Sequence, residues 1–148
     1  MLANALRELD GWERSLQAVN PGPLFWPRTV CPVSQRASDA VEPSLWFCSL
    51  PVAMSLTHLW AFRAVCFSVV AQLLSSSRIP CMETVRACLS VSGIEDCQKR
   101  VLDFYSMICQ SMLYFKQDEM KFCGVASVTL PLRVTQTVLS PSPPTWSG

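Results

Sequence analysis

Apolar residues at Leu2, Leu6, Leu9, Trp12 and Leu16 recur every three to four positions with charged residues between them, which predicts one amphipathic helix over residues 1–18. Asn20-Pro21-Gly22-Pro23 stops it. Prolines at 27, 32 and 43, together with Ser34, Ser38 and Asp39, deny any long regular element, so 19–43 reads as a proline-rich linker with room for one short turn near 35–41. Ser44 or Ser49 can cap the next helix, and Pro51 is tolerated in a first helical turn. From 52 to 74 nothing breaks a helix. Apolar residues lie nearly all round it, with Thr57, His58, Arg63, Ser68 and Gln72 as the polar exceptions, which is the pattern of a central helix covered by its neighbours.

Ser75-Ser76-Ser77 closes that helix and Pro80 opens the next, a short one over 81–89 that turns Met82, Val85, Cys88 and Leu89 inward. After Ser92-Gly93, residues 94–115 form the clearest amphipathic pattern of the chain: Cys97, Val101, Phe104, Ile108, Met112 and Phe115 step by three and four, and the acidic start suits the helix dipole. Residues 125–139 are ambiguous. Their Val and Thr content and the alternation Val128, Leu130, Leu132, Val134 suggest a strand, Pro131 argues against a central one, and a helix with Pro131 in its first turn fits equally well. Residues 140–148, with prolines at 141, 143 and 144, read as a disordered tail. The elements together predict an all-α fold, an antiparallel, solenoid-like array of about five helices, with 44–139 as its main domain.

Composition narrows the function classes. Half of the 148 residues are apolar and 16% are charged, so the chain must hide most of its length. The 12 basic and 11 acidic residues nearly cancel and form no basic run longer than Lys99-Arg100, which argues against direct nucleic-acid contact. Eight cysteines would suit a secreted disulfide scaffold, yet Glu8, Asp10 and Glu13 occupy the stretch where a signal peptide needs an apolar core. The expectation is a reducing location, nucleus or cytoplasm, with the thiols acting as small hydrophobes. A membrane span over 52–74 is the rival reading. Arg63 at its middle would cost about 2.5–3.5 kcal/mol on insertion scales, several times what any one apolar residue returns, so membrane association is the less favoured alternative.

Candidate chemistry is sparse. Structural zinc needs cysteine or histidine pairs two to four residues apart, and the closest cysteines, Cys81 and Cys88, are seven apart. A thiolate nucleophile needs a base, and His58, the single histidine, lies two helical turns from Cys66, roughly 12 Å along the axis. No glycine-rich phosphate loop is present among the five glycines. The sequence therefore implies no cofactor, no metal and no catalytic residue. His58 and Arg63 remain as structural polar residues of the core helix, and Arg63 requires an ion pair or capped carbonyls, because a lone interior charge is several kcal/mol uphill. Trp60, Phe62, Phe67, Phe104, Tyr105, Tyr114 and Phe115 fall at helical spacing and read as core rather than as the lining of a ligand cavity.

Four phrases occur in order: Leu59-Trp60-Ala61-Phe62-Arg63, Ile108-Cys109-Gln110-Ser111-Met112-Leu113-Tyr114-Phe115, Glu119-Met120-Lys121 and Leu130-Pro131-Leu132-Arg133-Val134. Over residues 45–139 the chain resembles the C-terminal regulatory region of fungal six-cysteine zinc-cluster transcription factor-like proteins. It lacks the basic six-cysteine segment that binds zinc and DNA in that family, so neither property carries over to any residue here. The resemblance implies a truncated or stand-alone relative of the regulatory half, a nuclear, non-enzymatic module acting through protein contacts or self-association, and it tilts 125–139 toward helix.

Overall fold

The computed structural model describes residues 2–29, 43–76 and 91–140. The expected turn near 35–41, the short helix 81–89 and the tail beyond residue 140 lie outside the described residues. Five helices and a two-stranded ribbon make up what is described: α1 (Leu2–Val19), β1 (Phe25–Arg28), β2 (Ser44–Phe47), α2 (Leu50–Ser75), α3 (Ile94–Gln110), α4 (Met112–Phe115) and α5 (Lys121–Leu139), with a 3-10 turn at Asp118–Met120. The fold is predominantly helical.

Local chemistry explains where the helices start. Ser49 has extended backbone angles and its hydroxyl accepts the Val52 N–H at 3.4 Å, with Pro51 in the first turn, so Ser49 is the cap of α2. Ser44 instead opens β2. Asp96 accepts the Ser92 N–H at 3.2 Å at the start of α3, joining Glu95 in offsetting the dipole. The continuous helix expected over 94–115 is interrupted at Ser111. That residue is fully buried, its hydroxyl donates to the Met107 carbonyl at 2.7 Å, and its N–H is shared between the carbonyls of Met107 and Ile108, which loosens one turn and restarts the chain as α4.

The linker expectation for 19–43 needs a correction, because 25–28 is a strand. β1 pairs antiparallel with β2 in the register Phe25–Phe47, Trp26–Trp46, Pro27–Leu45 and Arg28–Ser44. The Cys48 N–H donates to the Leu24 carbonyl at 3.2 Å, which makes Leu24–Cys48 a hydrogen-bonded pair. By alternation Phe25 and Pro27 then occupy non-bonded positions, where a backbone nitrogen points to the free edge. Pro27 removes no ladder bond there and blunts the open edge. Burial stabilises so short a ribbon: the Phe25 ring meets Trp60 edge-on at 5.5 Å, and Phe47 packs on Tyr114 at 5.1 Å and Trp60 at 6.1 Å.

Two apolar clusters set the helix directions. One gathers Phe47, Leu56, Trp60, Ile108, Phe115 and Val128, and the other Leu6, Phe67, Val70, Val91, Cys97 and Val101. The first half of α2 thus meets the end of α3, and its second half meets the start of α3, so the two run antiparallel, with Phe67 stacked on Phe104 at 6.1 Å. Leu16 of α1 packs on the first cluster and Leu2 on the second, which makes α1 antiparallel to α2 as well. Val128 lies in the first cluster and Val138 packs on the second, so α5 runs parallel to α2.

The ambiguous 125–139 segment is helical, and Pro131 lies in the interior of α5 rather than in its first turn. Gly124, Val128, Pro131 and Thr135 are buried at steps of four, three and four, a helical stripe in which the small residues are as important as the large. Ser127, Thr129, Thr135 and Thr137 each donate a hydroxyl to the carbonyl four residues back, at 2.6, 2.8, 2.9 and 2.9 Å, so the polar groups are satisfied within the helix. Gly124 lets α5 approach the preceding turn closely: a Cβ there would overlap the Phe115 carbonyl oxygen and the Cβ of Met120. Replacing Gly124 by Ala is expected to lower stability by about 1–3 kcal/mol through overpacking, despite the gain in helix propensity. Urea denaturation checks this, and a more stable Gly124→Ala chain would contradict the close packing.

Candidate interaction surface

Arg63 is the only charged residue within α2. Its side chain is 12% exposed, and one guanidinium nitrogen donates to Asp10 Oδ1 at 2.5 Å and to Glu13 Oε2 at 2.7 Å. Asp10 and Glu13 stand three residues apart on α1, one turn of the same face, so a single cation ties that turn to the middle of α2. Helical periodicity alone assigns these carboxylates to a solvated face. Their spacing beside the Leu6, Leu9 and Leu16 stripe is the signal that could have marked them as partners.

His58 lies five residues before Arg63, half-buried, with Nδ1 2.7 Å from the Met54 carbonyl. Nδ1 carries the proton, because a carbonyl can only accept, which leaves Nε2 as an acceptor whenever the ring is neutral. The imidazole lines a groove between α1 and α2 of about 430 Å³, together with Leu9, Trp12, Met54, Leu59 and Phe62. Among the described residues its walls are apolar, with Ser55 and His58 as the polar members, and two large rings face solvent: Trp12 is 42% exposed and Phe62 is 55% exposed. Arg63, one position beyond Phe62, does not line it.

A second apolar surface belongs to α5, where Phe122, Val125 and Leu130 are 83%, 45% and 58% exposed. Phe122, Val125, Thr129 and Arg133 share one face at helical steps, opposite the buried stripe of Gly124 and Val128. Neither the groove nor this face was visible from periodicity, which marks apolar positions without saying which remain uncovered. The aromatic expectation divides accordingly: Trp60, Tyr114 and Phe115 are core, whereas Phe62 is surface.

Among the described residues no group of three or more His, Cys, Asp or Glu could hold a metal ion. Burial pushes the Cys66 thiol up from its ordinary value, and burial with the adjacent Asp96 does the same to Cys97 against a smaller opposing effect of Arg100. Both thiols are thereby held in the protonated form, the less nucleophilic one. Among the described residues, Cys48 and Cys123 are exposed and no cysteine lines the groove beside His58. No family model, curated protein or solved structure matches this chain.

Since Arg63 links α1 to the body, Arg63→Met is expected to lower stability by about 1–2 kcal/mol, a charge-assisted contribution tempered by the exposure of the carboxylates. High salt should lower wild-type stability toward that of the variant. Thermal melts of both proteins at low and high salt test this, and equal melting points would contradict the clamp.

Proposed function

We propose that this chain is a non-enzymatic protein-interaction module whose docking surface is the groove between α1 and α2, shaped to take one apolar face of a partner helix. The observation that carries the reading is the pairing of Trp12 and Phe62, two large exposed rings on adjacent helices, across a groove whose lining among the described residues contains no permanent charge. Aromatic side chains that are rigid, exposed and clustered are the usual anchors of such contacts. The phrases that resemble fungal regulatory regions belong to the same class of function, protein contact without catalysis. An amphipathic helical peptide built of leucine and lysine is the probe. It should bind once per chain, with Phe62→Asp and Trp12→Ala each weakening it by about tenfold or more in titration calorimetry. Binding untouched by both substitutions would refute the groove as the site.

A membrane-associated protein is the second reading, favoured by one observation: Leu50–Ser75 and Phe122–Leu139 are both long and apolar enough to cross a bilayer. Half of the most apolar stretch of α2 is buried within the fold, against 22% for α5, so α5 carries this alternative. On flotation with vesicles of phosphatidylcholine and phosphatidylserine, the interaction-module reading expects the chain to stay in the dense fractions. Flotation abolished by Phe122→Asp would establish the alternative instead.

A further inference from the structure

We propose that His58 makes the groove between α1 and α2 a pH-sensitive docking site, which takes the apolar face of a partner helix while the imidazole is neutral and releases it when the ring is protonated. The inference rests on the reading of that groove as a helix-docking site. His58 is central to the α2 bank: Met54, His58 and Phe62 all line the groove, at steps of four residues. Nδ1 donates to the Met54 carbonyl at 2.7 Å, so the neutral ring holds its one proton there. A second proton goes to Nε2, which has no hydrogen-bond partner among the described residues. Its uptake leaves the Met54 bond in place. What changes is the groove, where a full positive charge appears on an apolar surface.

The surroundings decide the sign of the effect. No carboxylate stands among the described lining residues: Arg7, Glu8, Asp10, Glu13 and Arg14 of α1 lie outside the lining, as does Arg63 of α2, which is paired with Asp10 and Glu13. Ser55, the other polar member, can hydrogen-bond a partner but cannot neutralise a charge. In the free chain the ring is half-buried, so water still reaches it and hydrates an imidazolium. A helix laid over it with its apolar face removes that water and supplies no counter-charge. The docked state therefore disfavours the charged ring and holds Nε2 deprotonated. By linkage, a single proton excluded from the complex weakens docking by up to tenfold for each pH unit below the titration of the ring. Histidine is the side chain that ordinarily changes charge between about pH 5 and 8, and this chain has one.

Titration calorimetry of the full chain with the leucine–lysine peptide, from about pH 8 down to about pH 5.5, tests this. Binding by the wild type should weaken about tenfold across that range, with unchanged circular dichroism. His58→Gln and His58→Phe carry no titrating ring, and either should bind equally at both ends. A second peptide of leucine and glutamate should show a loss of the same sign, because the effect comes from covering a charge and not from the charge of the peptide. In nuclear magnetic resonance, saturating peptide should move the titration of the His58 ring to lower pH. Wild-type affinity independent of pH, a glutamate peptide that binds more tightly in acid, or a His58→Gln chain that loses affinity in acid as the wild type does would each overturn the proposal. Affinity that is independent of pH yet weakened by Phe62→Asp would leave the groove reading standing and remove only the switch. Affinity indifferent to Phe62→Asp would remove both.

Discussion

The structure depends on a helix with no polar side. α2 is apolar around most of its circumference, and a helix of that kind is stable only if other apolar surface covers it. α1, α3 and α5 pack along it and the β1–β2 ribbon closes over Trp60 at one end. Arg63 fixes one of these partners in place, because its guanidinium needs carboxylates and finds them on a single turn of α1. The ion pair pins an α1 whose antiparallel course is set by Leu2, Leu6 and Leu16 packing on the two apolar clusters.

Cover of this kind is incomplete for a geometric reason. Three helices around a fourth leave a gap wherever the neighbours are not themselves bridged, and here the gap lies beside α1, which contributes one buried residue to the core. Met54, His58 and Phe62 succeed one another at four-residue steps along the uncovered side of α2, so the part left open is a helical seam rather than a scatter of surface residues. A scattered Leu or Phe is ordinary on a protein surface. A seam with a ring on either bank is a place where another helix gains the burial that α2 lacks.

How much of this was legible in the sequence varied with the kind of signal. α1, α2 and α3 were readable because large apolar residues recur at helical steps, and Ser49 was readable as one of two candidate caps. β1 was not, since four residues containing a proline carry no periodicity, and its pairing is justified only by a ladder register that turns the Pro27 nitrogen outward. The helical stripe of α5 was present in the sequence as Gly124, Val128, Pro131 and Thr135, but a search for large hydrophobes passes over glycine, proline and threonine and finds the strand-like alternation instead. Arg63 announced its need for a partner. That partner lay 53 residues away in sequence, and no local pattern reports which of several carboxylates the fold will deliver. The groove was the least legible feature, because apolar position and solvent exposure become separate facts only once the neighbours are in place.

The surface electrostatics bear on how such a chain finds company. A formal net charge of +1 provides almost no long-range repulsion between copies, so short-range features decide whether they associate and in which orientation. An apolar groove alone would tolerate either polarity of approach, with a docked helix parallel or antiparallel to α2. Weak exposed charges add little affinity, but a difference of even about 1 kcal/mol between two otherwise equal orientations favours one of them roughly fivefold. Charges at the rim of such a groove therefore act chiefly on direction, while large exposed rings such as Phe62 and Trp12 are the groups that gain by burial.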